Sequence, residues 1–451
     1  MATFDKKAPG VYVEEISKLP PSVASVATAI PGFVGYTEKG TKNTAIRVES
    51  LIDFEEKFGY ACKIAISEED KINGLEYKLH ESMRLFYANG GGICYVVSVG
   101  NYTDAISNTA LETGISMLEP IDEVTMIVVP DAVSLEIEDL ASVQNAALAQ
   151  CLELKDRVAI LDVKDTGNCN TDATNFRNSI GTKGASYGAA YYPYIKSVYD
   201  REINVYDIYK GLELSNQELE NAQYYAELSE PTEESTLFAK QLMSKPEYAK
   251  LVAKIQEQAN LLPPSGAIAG IYCANDNQRG VWHAPANMSV SGISDINVRI
   301  SDKQQGELNE NTSGKCINAI RAFQGKGILV WGARTLDGLS SEWKYISVRR
   351  FFNYVEESIQ ESTAWAVFQP NDANTWVKVR CQIENFLSNL WRDGALAGST
   401  PQEAFYVRVG INQTMTAQDI LNGYMIVEIG MAAVRPAEFI VLQFSHKLQE
   451  S

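Results

Sequence analysis

Residues 124–163 read VTMIVVPDAVSLEIEDLASVQNAALAQCLELKDRVAILDV, and this stretch decides the fold class. Val124 to Val129 is an apolar run that ends at Pro130-Asp131, and Val158 to Val163 is a second apolar run. The residues from Leu140 to Leu154 between them favour a helix. A strand, a helix and a strand in this spacing predict parallel pairing, because a helical crossover joins parallel strands. We therefore predict a mixed α/β fold.

The residues before this stretch predict a core segment and two helices. Val23 to Tyr36 is small and apolar, Ser50 to Gly59 has helical spacing with a glycine stop, and Tyr77 to Ala88 favours a second helix. The run Asn89-Gly90-Gly91-Gly92 then precedes a predicted strand, Ile93 to Val99. A phosphate-binding loop follows a strand and opens a helix, so this reversed order predicts a helix C-cap instead of a nucleotide site.

The residues after it predict an acidic helical insertion and a strand-rich last third. Ser197 to Leu262 is rich in glutamate, with helical periodicity in Leu237 to Leu262, and favours a helical hairpin on the outside of the molecule. A solvated face explains such charge, and a dedicated docking surface is the alternative. The last third predicts a helix from Trp376 to Leu390 and four strands, at Gly327 to Val330, Ala404 to Val409, Tyr424 to Ile429 and Glu438 to Phe444.

Each end of the chain carries a β-prone segment that is isolated by prolines. The first contains Val11, Tyr12, Val13, Glu14 and Ile16, between Pro9-Gly10 and Pro20-Pro21. A lone strand is not stable in water, so we expect each segment to need a sheet that lies elsewhere. The second segment lies beyond Pro436 and contains the apolar residues Phe439, Ile440, Val441, Leu442 and Phe444.

Length and charge limit the classes of partner. At 451 residues, two or three domains are expected, and the formal charge of −18 repels phosphate backbones and anionic lipid. We therefore expect no nucleic-acid partner and no membrane insertion, since no run approaches the roughly 18 apolar residues of a span. The first residues lack the build of a secretory signal, which predicts synthesis in the cytoplasm.

The chain offers little for catalysis or metal binding. Seven cysteines without a C-x-x-C pair predict reduced, mostly buried thiols, and the three histidines lack metal-binding spacing. Gly184 to Gly188 matches the G-x-S-x-G nucleophile motif, but turn-like residues precede it and strand-like residues follow it, the reverse of the required order. Asp276 and Arg279 are expected to form a structural ion pair. We predict no catalytic residue, no cofactor and no metal site.

Taken together, the chain resembles the contractile tail sheath family of myophages, R-type pyocins and extracellular contractile injection systems. The likeness spans almost the whole length. Its marks, in chain order, are Pro9-Gly10-Val11-Tyr12-Val13-Glu14-Glu15, Phe33-Val34-Gly35-Tyr36, residues 89–97, Tyr191-Tyr192-Pro193, Pro263-Pro264-Ser265-Gly266, residues 279–287, Trp331-Gly332-Ala333-Arg334-Thr335, Val348-Arg349-Arg350, Phe368-Gln369-Pro370-Asn371-Asp372, Gly394-Ala395-Leu396-Ala397-Gly398 and Pro436-Ala437-Glu438-Phe439.

The resemblance implies a multi-domain sheath fold. The expected parts are an N-terminal arm at 1–22, a discontinuous inner domain at 23–90 and 280–437, an outer domain at 91–279 with the insertion at 197–262, and a C-terminal arm at 438–451. It also implies six-subunit rings of this chain, possibly mixed with sheath paralogues, stacked helically around an inner tube protein and joined to baseplate and terminal cap proteins. Neighbouring subunits are expected to exchange their end strands.

We expect the inner domain to contact the tube. The candidate residues there are Lys378 and Arg380, which lie off the apolar face of the predicted helix. Simple solvation of both charges is the alternative. Two other functions stay open at this point: an α/β enzyme or cofactor-binding protein with its site in the central domain, and an adhesive module that binds through the acidic insertion. The kind of particle, whether phage tail, bacteriocin or extracellular injector, also stays open.

Overall fold

The computed structural model describes residues 23–67, 71–228, 230–310 and 312–439. By internal contacts the described chain divides into two compact units, one of residues 26–357 with 434–439 and the other of residues 23–25 with 358–433. We call them the large unit and the small unit. This division differs from the predicted inner and outer domains.

The strands follow one another along the chain as β1 (Pro31–Tyr36), β2 (Ala45–Val48), β3 (Ala65–Ile66), β4 (Ile72–Asn73), β5 (Cys94–Gly100), β6 (Met126–Val128), β7 (Val158–Asp162), β8 (Gly188–Tyr192), β9 (Ile195–Ser197), β10 (Leu261–Leu262), β11 (Met288–Ser289), β12 (Ile293–Ile296), β13 (Ile317–Phe323), β14 (Gly327–Val330), β15 (Phe405–Val409) and β16 (Val427–Met431). The helices are α1 (Leu51–Phe58), α2 (Leu79–Ala88), α3 (Asn108–Ser116), α4 (Ile137–Leu154), α5 (Cys169–Ser179), α6 (Val205–Ile208), α7 (Asn216–Ala226), α8 (Glu233–Met243), α9 (Pro246–Ala259), α10 (Ser265–Arg279), α11 (Asp302–Asn309), α12 (Ile346–Thr363), α13 (Ala373–Arg392), α14 (Pro401–Ala404) and α15 (Ala417–Leu421).

The large unit is built on a nine-stranded sheet in the order β11-β14-β13-β8-β7-β6-β1-β5-β2. Strands β5, β1, β6, β7, β8 and β13 are parallel to their neighbours in this row, as the pattern of residues 124–163 predicted. Both faces are buried, because neighbouring residues of β1 point to different core clusters: Phe33 to one and Val34 to the other. Burial on both faces explains the nearly continuous apolar character of these strands.

Strand β1 also shows why glycine is needed in this sheet. All six of its residues are buried, which confirms the second half of the core segment predicted from Val23 to Tyr36, while residues 23–30 are half-buried or exposed. A Cβ on Gly35 would lie 2.5 Å from Asp131 Oδ2, and one on Gly32 would lie 2.6 Å from Leu118 Cδ1. The strand therefore accepts only hydrogen at these two positions without local movement.

The sheet crosses the domain boundary predicted between residues 90 and 91. Strand β1 pairs in parallel with β5, from Gly32 opposite Tyr95 onward, and with β6 on its other side. Helix α10, which precedes the other predicted boundary, packs on α2. The boundaries were those that the resemblance implies, and pairing between distant segments such as β1 and β5 is not encoded in local periodicity.

The predicted helix ends before β5 are confirmed. Ser50 caps α1 by accepting the Asp53 N–H, and Gly59 ends it at a φ of 84°. Helix α2 ends at Ala88 with Asn89 as its C-cap; Gly90 then has a φ of 95°, and the Gly91 N–H donates to the Phe86 carbonyl at 3.0 Å. The glycines of residues 90–92 therefore close a helix, as expected from their order.

The acidic insertion is more divided than predicted. The helical stretch expected at residues 237–262 is two helices, α8 and α9, because Pro246 opens the second one, and Leu261–Leu262 is strand β10. Arg201 joins the start of the insertion to the core of the large unit: its guanidinium lies 2.7 Å from Glu81 and donates to the Gly74 and Tyr77 carbonyls at 2.6 Å and 2.8 Å. Both side chains of this ion pair are buried.

All seven cysteines are free, five of them buried and Cys62 and Cys381 half-buried, as predicted. Within the described ranges, no helix is both long and apolar enough to cross a membrane.

Candidate functional site

Most residues of the two predicted end strands lie outside the described part of the chain: Val11, Tyr12, Val13, Glu14, Ile16, Ile440, Val441, Leu442 and Phe444. Phe439 is described, and its side chain is 72% exposed. Glu438 and Phe439 form no strand pairing within the described part of the chain, and the rest of the strand predicted from Glu438 to Phe444 lies outside it, so that strand stays a prediction. At the other end, the Ala24 N–H donates to Ser362 Oγ at 3.0 Å within the small unit.

The small unit contains an unusually small sheet. Strands β15 and β16 form an antiparallel pair with Val407 opposite Ile429, and neither strand pairs with a third among the described residues. Helix α13 packs against β15, and Val407 and Val409 are buried. A two-stranded sheet is marginal by itself in water, so this one is incomplete by the usual size of stable sheets.

The direction of the backbone N–H groups shows what each free edge offers. Ala432 donates its N–H to the Ala404 carbonyl at 2.8 Å, and N–H groups alternate in direction along a strand. Along β16, the N–H groups of Gly430 and Glu428 therefore point toward β15, and those of the residues between and beside them point away from it. The β15 edge presents two such donors, those of Val407 and Val409, because the Phe405 N–H donates to the Pro401 carbonyl. The β16 edge presents three, those of Val427, Ile429 and Met431.

The two predicted tube-facing residues do not share a face of α13. Arg380 lies two positions after Lys378, which is about 200° around an α-helix, and its Nε is 3.8 Å from Glu384 Oε1. Lys378 is exposed. Arg392 is exposed and follows Lys378 by fourteen positions, close to four full turns, so these two cations do lie on one face. The same count along the sequence could have identified this pair.

The string Phe368 to Asp372 caps α13 and fixes a loop of the small unit. Asp372 accepts the Thr375 N–H at 2.9 Å as the N-cap. Asn371 accepts from the Trp376 indole at 2.7 Å and donates to the Tyr424 carbonyl at 2.9 Å. Phe368 is fully exposed, with a φ of 63° that is strained for a non-glycine residue.

Exposed apolar side chains recur in the small unit near the start of β16. Leu421 is 79% exposed, and Tyr424 and Ile426 are also exposed. Phe368 is a further exposed apolar side chain of the same unit. Large exposed apolar patches mark protein interaction sites in soluble proteins.

Two other motif strings of the resemblance meet in the large unit. Arg334, from the Trp331 to Thr335 string, pairs with Glu438, from the Pro436 to Phe439 string, at 2.6 Å between Nη2 and Oε2. Burial alone would raise the pKa of Glu438, but the Arg334 guanidinium outweighs it and holds this pKa below its usual range. The sequence pattern did not reveal this pair, although both strings were recognised separately.

The Val348 to Arg350 string is structural. The Arg350 guanidinium pairs with Asp276 at 2.6 Å, and both side chains are buried. The ion pair predicted between Asp276 and Arg279 is therefore wrong: a partner 74 residues away reaches Asp276 first, across the core. Arg349 lies against the Trp343 and Tyr187 rings, 3.9 Å and 4.7 Å from their centroids.

The carboxyl ends of the central strands, where an α/β protein holds its ligand, are filled by the chain's own carboxylates. Asp131 accepts the N–H groups of Tyr36, Lys78 and Leu79 at 2.5–2.9 Å, so it occupies the N-terminus of α2 as a bound anion would. Burial raises the pKa of Asp131 to about 6 against the effect of these donors. Asp162 accepts the Ser265 N–H at the start of α10, and burial raises its pKa to about 7.

The G-x-S-x-G string has the geometry expected from its neighbours. Ser186 lies in a short 3₁₀ turn at residues 185–187 that leads into β8, and a nucleophile elbow would instead follow a strand and open a helix. Across the described residues no group of three or more His, Cys, Asp or Glu side chains has the geometry of a metal site.

Two protein-family models match the chain. Residues 104–336 match the phage tail sheath protein central domain, and residues 340–447 match the phage tail sheath C-terminal domain. The first match alone covers about half of the chain.

Individual proteins agree with these matches. The chain is similar to a solved structure of an extracellular contractile injection system, the PVC sheath complex in its contracted state, with 31% identity, a TM-score of 0.67 and coverage of 99% of both chains. A chain in the six-fold symmetrised baseplate of the anti-feeding prophage is 30% identical, with a TM-score of 0.65 and coverage of 98% of this chain and 99% of that one.

A curated tail sheath protein of Vibrio phage KVP40 is 23% identical over 192 residues, which are 42% of this chain and 27% of that protein. This match therefore spans about a quarter of the relative's length. The two domain matches and the full-length similarity to the PVC sheath together show that this chain belongs to the phage tail sheath protein family.

Proposed function

We propose that the chain is a structural subunit that polymerises helically around an inner tube and contracts to drive that tube through a target cell envelope. One observation carries the proposal: within the described residues the two-stranded sheet of the small unit has two unpaired edges, and the chain has two β-prone end segments that need a sheet. Strand exchange between copies needs a free sheet edge for each strand that is added, and two edges are present for the two end segments.

The edges would be filled by main-chain hydrogen bonds. The segment with Val11, Tyr12, Val13, Glu14 and Ile16 would add to one edge, and the segment with Phe439, Ile440, Val441, Leu442 and Phe444 to the other, each from a neighbouring copy. Such bonds contribute about 0.5–1.5 kcal/mol each, so several per strand hold a subunit firmly. A flexible tether between strand and body lets the bodies move while the strands stay paired.

Contraction would draw on surface buried between subunits. If the contracted lattice buries about 200 Å² more apolar area per subunit, the gain is about 5 kcal/mol at roughly 25 cal/mol per Å². Exposed ion pairs contribute about 0.2–1 kcal/mol each and are secondary. The chain would then do mechanical work by changing its packing, without catalysis and without a cofactor.

The inner tube would meet the exposed face of α13. Lys378 is retained from the sequence prediction as a tube-facing residue, and Arg392 joins it because both lie on one face. Arg380 faces Glu384 and is the weaker candidate of the original pair. The predicted arrangement of an inner domain near the tube and an outer domain around it remains part of this proposal.

The remaining partners follow from the similar proteins. The related chain in the six-fold symmetrised baseplate supports rings of six and a baseplate partner for this chain. A terminal cap protein and sheath paralogues complete the set of expected partners. We place the assembled chain in a phage tail or an extracellular phage-tail-like particle that is made in the bacterial cytoplasm.

Electron microscopy of the purified chain tests the proposed function. Sheath-like cylinders or long tubes are expected, alone or with the tube protein. Discrete small oligomers whose melting temperature depends on a small ligand would instead support an α/β enzyme or cofactor-binding protein.

A further inference from the structure

The last described residues of the chain are held by one side chain. Both carboxylate oxygens of Glu438 are engaged: Arg334 Nε donates to Oε1 at 2.8 Å, and Arg334 Nη2 donates to Oε2 at 2.6 Å. The Tyr345 hydroxyl adds a third donor to Oε2 at 3.1 Å. The Arg334 side chain is 2% exposed and the Glu438 side chain 20% exposed, so this bidentate pair is shielded from water.

Arg334 is itself fixed to the central sheet of the large unit. Its Nη1 donates to the Asn309 carbonyl at 3.0 Å, and its backbone N–H donates to Asn318 Oδ1 at 2.7 Å. Asn318 lies buried in β13 and donates to the carbonyls of Ala190 and Arg334 at 3.1 Å and 2.8 Å. The carboxylate of Glu438 is therefore tied through two side chains to the paired strands β13 and β8.

The residues around Glu438 contribute little to this attachment. Phe439 is 72% exposed, and within residues 434–439 the hydrogen bonds of the structure all involve the Glu438 carboxylate. Residues 440–451 follow directly. Among the described residues 434–439, Glu438 is therefore the point at which the chain is attached to the body of the large unit.

We propose that the Arg334–Glu438 pair, which we call the arm clamp, is the anchor that transmits load between the C-terminal arm and the central sheet of the large unit. This inference rests on the proposed function, in which residues 439–444 pair with a neighbouring copy. Arg334 and Glu438 are positioning residues: they bind each other and the large unit, and so they set where the arm leaves the body. A fixed origin raises the effective concentration of the arm at its receiving edge.

The test compares two buried ion pairs of the large unit, only one of which holds the arm. Glu438→Gln removes the charge of the clamp at nearly constant volume. The matched control is Asp276→Asn, which removes the charge of the buried pair with Arg350 and leaves the arm untouched. For each variant, denaturant unfolding of the unassembled chain reports folding, and the critical concentration for polymerisation reports assembly.

We expect Glu438→Gln to raise the critical concentration at least about tenfold, while Asp276→Asn assembles close to the wild-type concentration despite an equal or larger loss of folding stability. The proposal is wrong if Glu438→Gln assembles at the wild-type critical concentration, or if Asp276→Asn raises the critical concentration by the same factor as Glu438→Gln.

A third variant that lacks residues 440–451 separates the clamp from the proposed function. Loss of polymer in this variant together with normal assembly of Glu438→Gln would reject the clamp alone. Normal polymer from the truncated chain would reject strand exchange by this arm, and the clamp with it.

Discussion

The two sheets of this chain differ in how much of their hydrogen-bonding potential they use. The nine-stranded sheet of the large unit has helices and core clusters on both faces, with short strands, β2 and β11, at its edges. The sheet of the small unit has two strands and two free edges within the described residues. The first arrangement is that of a finished fold, and the second is that of a fold which other copies complete.

Mutations in the two sheets should therefore affect different properties of the chain, its folding stability in one case and its polymerisation in the other. Changes within the nine-stranded sheet should act on the free energy of unfolding, because its polar groups and core contacts are internal. Removal of the outward N–H groups of Val407 on β15 or Ile429 on β16 should act on polymerisation, because these two groups take no part in the pairing of β15 with β16.

Proline at a free edge should abolish polymer formation without unfolding the chain. The Ile429 N–H points away from β15, so Ile429→Pro removes a donor for an added strand and leaves the pairing of β15 with β16 intact. We expect no cylinders by electron microscopy and a cooperative unfolding transition in denaturant. Val407→Pro tests the other edge in the same way.

Alanine at the same positions is the control, because Ile429→Ala and Val407→Ala shorten the side chain but keep the N–H. If the proline variants still form cylinders, or if the alanine variants form none, then an added strand is not held at these edges by main-chain hydrogen bonds.

Removal of a buried charge in the large unit should act in the opposite way. Asp276→Ala leaves the buried Arg350 guanidinium without its carboxylate and should lower the free energy of unfolding by about 3–5 kcal/mol. The measurement is denaturant unfolding of the unassembled chain. At concentrations where the variant stays folded it should still polymerise, and failure to do so would mean that the large unit also contributes directly to strand exchange.

Charge reversal on α13 should have the smallest effect. Lys378→Glu with Arg392→Glu should weaken binding to the inner tube by about 0.2–1 kcal/mol per charge, since both side chains are exposed. Co-sedimentation of sheath with tube at two salt concentrations measures this loss. Arg380→Glu is the comparison variant, because Arg380 lies on a different face; an equal effect of Arg380→Glu would place the tube elsewhere.

Local sequence patterns predicted the elements better than the way in which they combine. The β6-α4-β7 unit, the cap at Ser50 and the helix end at Asn89 follow from spacing, glycine and capping chemistry, and the structure confirms them. The pairing of β1 with both β5 and β6 brings together residues up to about 95 positions apart, and no periodicity in either segment specifies its neighbour.

The candidate site shows the same limit. Arg334 and Glu438 were each recognised within a motif string, but their contact spans 104 positions and depends on the tertiary fold. The free edges of β15 and β16 could not be identified from alternation, since a strand at an edge and a strand in the middle of a sheet share the same local pattern. Arg392 could have been found by counting helical turns from Lys378.

The central claim is that the end segments of this chain complete the sheets of neighbouring copies. The most direct measurement is electron microscopy, with denaturant unfolding, of a chain trimmed to residues 23–439. The account predicts a body that unfolds cooperatively and forms no cylinders at concentrations where the full chain polymerises. Normal cylinders from the trimmed chain would contradict it.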